Sequence, residues 1–310
     1  MSRGNARTAI GQPARMAVVL MMVAMFAAAC GGSTASISPS ASPSADTSCA
    51  PENLALKTAG VLTIGTDNPA YSPWFQGGND GMTEWSGDYN NDPANGEGYE
   101  GAVAYAIAAQ LGFGDDKVTW AYTPFDLAIA PGDKSFDILL NQVSIKAERA
   151  EAVDFSHGYY DVAQGVITID GSPIAGATSI ADLKDAIIGT QIGTTSYDAI
   201  VNVINPNTEI AVFDTMADAF EQLQSGQIDG VVTDVPSLFY MRDAELDGGI
   251  IVGQLPGTGS SSEQFGVVLQ KGSPLTACVN TAIDALKADG TLDALLLEWI
   301  GGSGSAPIIE

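Results

Sequence analysis

The chain has 310 residues, with 12 Lys plus Arg against 37 Asp plus Glu, a net charge of −25 and 45 % apolar residues. That apolar share supports a large core and excludes global disorder, and the length suggests about two domains. The acidity excludes nucleic-acid binding through a basic patch and a cationic helix lying on a membrane.

The first stretch reads as an export signal. Arg3, Arg7 and Arg15 are the only charges before Cys30, and Met16 to Ala29 is an apolar run of fourteen residues. A membrane-spanning helix needs about 20 apolar residues. A short apolar core behind a positive n-region is a signal peptide. The run ends Ala27-Ala28-Ala29-Cys30 and is followed by two glycines, which resembles a bacterial lipoprotein signal. Residues 1–29 are therefore expected to be removed and Cys30 to be lipidated. That removal takes three arginines and no acid, so the remainder carries nine basic and 37 acidic residues, net −28. Residues 30–48, rich in Gly, Ser, Thr, Ala and Pro, predict a flexible tether spanning on the order of 20 Å. The expected layout is a globular protein held to the outer face of the cytoplasmic membrane by its lipid anchor alone.

From Val61 onward, short β-rich runs alternate with helical patterns, which predicts α/β layers. Strands are expected at 61–65, 118–122, 137–140, 166–169, 187–192, 208–213, 230–233, 250–253 and 265–269. Helices are expected at 99–111, stopped by Gly112, from Gly193-Thr194-Thr195 to Ile204, from Thr215 to Gly226, and at 274–288 and 292–299. Ser179 followed three residues later by Asp182 reads as a capping box opening a short helix. The Gly-, Asn- and Asp-rich stretch 77–98 reads as a long surface loop.

With Cys30 assigned to the lipid, Cys49 and Cys278 remain. They form either a disulfide or two free thiols, and an exported protein favours the disulfide. Much enzyme chemistry lacks its residues. There is one histidine, His157, and no HExxH, CxxC, GxSxG or phosphate loop. Asp88, Asn90 and Asp92 have the opening spacing of a calcium loop, but Pro93 and Tyr99 stand where the tight turn and the bidentate ligand belong. No metal and no cofactor is expected.

Two arginines follow the signal. Arg242 lies in a charged run, Arg242-Asp243-Ala244-Glu245, and reads as a surface ion pair. Arg149 follows a buried strand, and ligands of open α/β sheets sit at strand carboxyl ends. Its planar fork suits a carboxylate; the alternative is an ion pair with Glu148, Glu151 or Asp154. Thr194 and Thr195 precede a helix, where free N–H groups and hydroxyls suit an anion. Asp234 and Asp67 each follow a strand, and Tyr71, Trp74 and Phe125 lie near these positions. One arginine, a hydroxyl-bearing helix start and a carboxylate together suit a zwitterion.

A series of motifs then resembles the family 3 extracellular solute-binding proteins, which feed ABC importers with amino acids. The matching residues are Gly60-Val-Leu-Thr-Ile-Gly-Thr-Asp67, Gly98-Tyr-Glu100, Phe136-Asp137-Ile-Leu, Ser144-Ile145 through Glu148-Arg149-Ala150, and Val153-Asp154-Phe155-Ser156. Gly193-Thr194-Thr195, Gly226-Gln-Ile-Asp229, Lys271-Gly272-Ser273, Asp289-Gly290 and Trp299 continue the series, which covers about residues 58–300. The resemblance implies an α/β fold of two Rossmann-like lobes with mixed sheets joined by a two-segment hinge, the type II periplasmic-binding-protein fold. Lobe 1 would comprise 55–162 and 259–305, and lobe 2 163–258. The resemblance places Arg149 on the ligand α-carboxylate with Thr195 and Thr194, and Asp234 on the α-amino group. Asn141, Gln142 and Ser144 would line the pocket. Tyr71, Phe125 and Trp74 would form an aromatic shelf, and Asp67 occupies the position that meets cationic side chains. It implies a monomer working with an ABC permease. The same fold also hosts cyclic-acid dehydratases, with Asp67 or Glu100 as candidate acids here, and surface sensory proteins.

Overall fold

The computed structural model describes residues 49–78, 85, 91–257, 263–301 and 306–310. The expected signal peptide, Cys30, the tether up to Ser48, and Asp88 and Asn90 lie outside them. Among the described residues no helix is long and apolar enough to cross a membrane.

The strands are β1 Leu62–Thr66, β2 Val118–Tyr122, β3 Ile138–Leu139, β4 Val153–Val162, β5 Gln164–Ile169, β6 Ile188–Gln191, β7 Ala211–Phe213, β8 Gly230–Asp234, β9 Gly249–Gln254 and β10 Glu263–Gln270. They form two five-stranded sheets, ordered β2-β1-β3-β10-β4 and β7-β6-β8-β5-β9. In the first, β1 pairs in parallel with β2 and β3, and β10 runs antiparallel to β3 and β4. In the second, β6 pairs in parallel with β7 and β8, and β5 runs antiparallel to β8 and β9. This is the mixed α/β architecture of a type II periplasmic binding protein.

Both faces of each sheet are covered, so neighbouring strand residues enter different cores. Ile138 and Val267 join one cluster with Leu62, Trp74 and Tyr99, while Leu139 and Val268 join another with Phe125 and Phe136. In the second sheet Val166 packs with Ile188 and Ile200, and Ile167 with Phe220 and Leu238. β4 carries no alternating pattern in the sequence, and none is predicted there. Its pairing with β10 shifts register on either side of Gly266, and such bulges break the period-2 signal.

The helices are α1 Tyr99–Gln110, α2 Phe125–Ile129, α3 Ala147–Ala152, α4 Thr195–Ala199, α5 Met216–Gln224, α6 Val235–Tyr240, α7 Thr276–Ala288 and α8 Thr291–Trp299. Of these, α2, α3 and α6 are too short to show a helical period, and the sequence does not announce them. Gly98, before α1, has φ +88°, and a Cβ there would lie 2.6 Å from the Trp74 carbonyl. Only glycine fits that close approach, and it sets where Glu100 enters the core. A disulfide joins Cys49 to Cys278 in α7, with Cα atoms 5.5 Å apart.

The chain passes from the first sheet to the second between Val162 and Gln164 and returns between Gln254 and Glu263. A further crossing has no counterpart in the sequence reading. After α8, which packs against α1 and α7, residues 306–310 lie against the edge of the second sheet. Ile308 bridges Gln254 in parallel, the Gln254 N–H donates to the Pro307 carbonyl at 2.8 Å, and Ile309 is buried.

Candidate functional site

Where the two sheets face each other, a cavity of about 710 Å³, its open mouth included, is lined by residues from both. Most sit at strand carboxyl ends or the loops that follow them: Asp67 after β1, Asn141 and Gln142 after β3, Thr194 and Thr195 after β6, and Asp234 ending β8.

Arg149, in α3, reaches this cavity and is 8 % exposed. Its Nη1 donates to the Ser144 carbonyl at 2.8 Å and its Nη2 to the Gly193 carbonyl at 2.9 Å, so it bridges both sides of the cleft. Its Cζ lies 5.4 Å from the centre of the Phe125 ring. Burial pushes its pKa down, opposed by Glu263, Asp198 and Asp234, but a guanidinium keeps its charge in proteins. Among the described residues no ion pair engages it; in particular Asp154 pairs with Lys271 at 3.2 Å. The guanidinium therefore faces the cavity with charge in excess of its partners.

Two carboxylates share the cavity. Asp234 is pushed well above the usual range by burial first and then by Glu263. Gln164 Nε2 donates to Asp234 Oδ1 at 2.7 Å, and Gln164 Oε1 accepts from the Ser196 hydroxyl at 2.7 Å. Gln164 follows the single-residue crossing at Ala163 and is absent from the sequence reading. Its signal was its place at the crossing. Asp67 accepts the Asn68 and Phe125 N–H groups at 2.8 and 3.0 Å, yet burial raises its pKa to about 6.

The Thr194 hydroxyl caps α4, donating to the Gln191 carbonyl at 2.8 Å and accepting the Tyr197 N–H at 3.3 Å. Thr195 has only looser contacts, 3.3 Å to Ser144 Oγ and 3.4 Å from Gln164 Nε2. It is the freer of the two hydroxyls. Tyr71 and Phe125 line the cavity, and the Tyr71 hydroxyl accepts the Ala217 N–H at 3.2 Å.

Two expected wall residues sit elsewhere. Trp74 is fully buried in the first core, edge-on to Tyr99, Tyr160 and Phe265, because its ring fills the space between β10 and α1. Its Nε1 donates to Ser237 Oγ at 2.9 Å, across the cleft. Ser144 is 1 % exposed, and its hydroxyl donates to Glu263 while its carbonyl holds Arg149. It supports the wall rather than forming it. Unforeseen wall residues are Gln191, Ser237 and the apolar Met216, Phe220 and Met241. Gln191 ends β6, and the others lie on α5, α6 and the turn after it, whose apolar residues read in the sequence as ordinary core.

The other marked residues lie away from the cavity. His157 Nδ1 meets Asp284 at 2.9 Å on the surface, and Arg242 pairs with Asp243 at 2.6 Å. Asp92 caps the turn at Pro93–Asn95 through the Ala94 N–H at 2.9 Å.

Residues 84–302 match the family model of the bacterial extracellular solute-binding proteins, family 3. The chain belongs to that family. It is 28 % identical over 214 residues to the ABC transporter glutamine-binding protein GlnH of Bacillus subtilis, covering 67 % of this chain and 75 % of that one. It is 27 % identical over 249 residues to the L-cystine-binding protein TcyJ of Escherichia coli, covering 79 % and 85 %. Among solved structures, an ancestral arginine-binding protein bound to arginine is similar at 30 % identity and a TM-score of 0.63, covering 78 % of this chain and 99 % of that one.

Proposed function

We propose that this member of the family captures a free amino acid and hands it to an ABC permease. The observation that carries the reading is a buried arginine with no ion-pair partner among the described residues and a half-buried carboxylate, Asp234, on one cavity. Arg149 with Thr195 and Thr194 would take the α-carboxylate, and Asp234 the α-ammonium. Each charge would complete the other's partnership, which makes a zwitterion the ligand that costs least to desolvate there. Asp67, with Tyr71 and Phe125 beside it, would face the side chain.

The two sheets would act as lobes, 55–162 with 259–305 and 163–258, closing on the ligand as a monomeric clamp. Closure would be favoured because Arg149 already reaches the Gly193 carbonyl and Trp74 already reaches Ser237 from the opposite side. Lipidation of Cys30 would hold the clamp at the outer face of the cytoplasmic membrane beside its permease. Of the two candidate acids for turnover, Glu100 is fully buried behind Gln142 and Tyr159 and out of a substrate's reach, which favours capture, while Asp67 lines the cavity with its carboxylate held by the Asn68 and Phe125 N–H groups.

A thermal-shift screen of the purified protein against the proteinogenic amino acids tests this. A true ligand at 100 times its Kd adds about 2.7 kcal/mol. A screen in which no amino acid raises Tm overturns the reading.

A further inference from the structure

Glu100 is in the first turn of α1 and is 0 % exposed. It does not line the cavity, but Gln142 does. The Glu100 carboxylate is surrounded by donors: the Gln142 backbone N–H at 2.8 Å, the Gln142 side-chain Nε2, and the Tyr159 hydroxyl. Two of the three come from one residue, so Gln142 is held at both its backbone and its side chain.

That grip has a conformational counterpart. Gln142 has φ +48°, in the left-handed region that residues other than glycine rarely adopt. The chain turns sharply there after β3, and the Glu100 carboxylate accepts the amide N–H that this turn exposes.

The side-chain bond decides more. An ionised carboxylate offers only acceptors, so Gln142 must turn its NH2 group toward Glu100. Its Oε1 is then directed away from Glu100, and none of the hydrogen bonds among the described residues engages it. We infer that Glu100 is a positioning residue that sets the polarity of the cavity wall, clamping Gln142 so that its amide offers a ligand its acceptor oxygen and turns an N–H toward Glu100 instead. With Asp67 on the same wall, Gln142 Oε1 and the Asp67 carboxylate together present acceptors to the ligand side chain. They favour ligand side chains that end in N–H groups over those that end in a carboxylate. This rests on the amino-acid reading above for its consequence, but not for the clamp itself.

Two measurements on the purified protein separate those parts, both at pH 8.5, above the range in which Glu100 titrates. The Gln142 side-chain amide is assigned in ¹H–¹⁵N spectra by its loss in Gln142→Leu. In the wild type without ligand, one of its protons is expected downfield and exchanging with solvent at least ten-fold more slowly than an exposed glutamine amide. Glu100→Gln, which gives Gln142 a partner that can both donate and accept, is expected to remove that protection. A fast-exchanging, unshifted amide in the wild type overturns the clamp, whatever the protein binds.

Calorimetry with L-glutamine and L-glutamate then reads the polarity. The wild type is expected to prefer glutamine, and both Glu100→Gln and Gln142→Leu to shrink that preference at least ten-fold while binding persists. An unchanged ratio in both variants overturns the polarity role. Gln142→Leu keeps this test open if Glu100→Gln does not fold. Failure of the wild type to bind any amino acid sinks the amino-acid reading, and the amide spectrum still decides the clamp.

Discussion

The first sheet and the second follow one plan: three parallel strands, a fourth reversed, and a fifth returning at the edge. What they bring to the cavity differs. The first side supplies two long side chains, Arg149 and Gln142, and the carboxylate of Asp67, set by contacts such as Arg149 on Ser144 and Gln142 on Glu100. It has an aromatic core of Trp74, Tyr99, Tyr160 and Phe265, and a disulfide fastens its edge. The second side supplies short groups at chain turns, the hydroxyls opening α4 and Asp234 ending β8, and its strand cores are mainly aliphatic. Shared topology thus places the cavity, while the residues at strand ends give it one wall carrying a guanidinium and one carrying hydroxyls and a carboxylate.

The largest test of that division removes the anchor. Arg149→Ala is expected to weaken amino-acid binding by about 2–5 kcal/mol, the scale for stripping one side of a buried charge pair. Calorimetry that shows unchanged affinity would mean the second side anchors the ligand alone. Next, replacing Cys49 and Cys278 with serine should lower unfolding stability by about 2–4 kcal/mol in a urea titration. Affinity should move little, because neither cysteine lines the cavity; a large affinity loss would tie the fastening directly to the site.

A pH titration sharpens the electrostatic side of the comparison. Asp67 and Glu100, both on the first side, have folded pKa values raised by burial to about 6 and about 7. The folded state therefore holds more protons than the unfolded chain once pH exceeds about 4. Their contribution to stability is full below that point and is lost as pH climbs through 7, by on the order of 3 kcal/mol for each group. Tm of the ligand-free protein should fall across this window, and Glu100→Gln should flatten its upper half. A wild-type and variant profile that run parallel would contradict the raised Glu100 value.

The smallest effect concerns one of the contacts that join the two sides. Ser237→Ala takes the acceptor from Trp74 Nε1 and should cost about 1 kcal/mol of ligand affinity. Small-angle scattering should show a more open average shape without ligand. No change in either would mean that this bond does not bias closure.

Much of this was legible along the chain. The alternation of strand and helix, the acid following β1, the arginine after a buried strand and the hydroxyl pair before α4 all depend on local pattern. The sequence misplaced Trp74 because an aromatic near a strand end reads the same whether it faces a cavity or a core. It passed over β4 because bulges erase alternation, and over Gln164 because its one signal, its place at the crossing between the sheets, is not a feature of residue type. The short helices α2, α3 and α6 contain too few turns to show a period.

By itself the sequence determined the class of fold and the inventory of charge, since burying 45 % apolar residues in alternating runs leaves few architectures. It also made Arg149 conspicuous, as one of two arginines after Cys30 in a strongly acidic chain. Only the tertiary structure decided which groups meet. Arg149 and Asp234 are 85 positions apart in the numbering, and Glu100 and Gln142 are 42 apart. Sheet order brings Arg149 and Asp234 to one cavity and sets Glu100 behind its wall, and burial makes an unpaired charge such as that of Arg149 costly enough to call for a ligand that completes it.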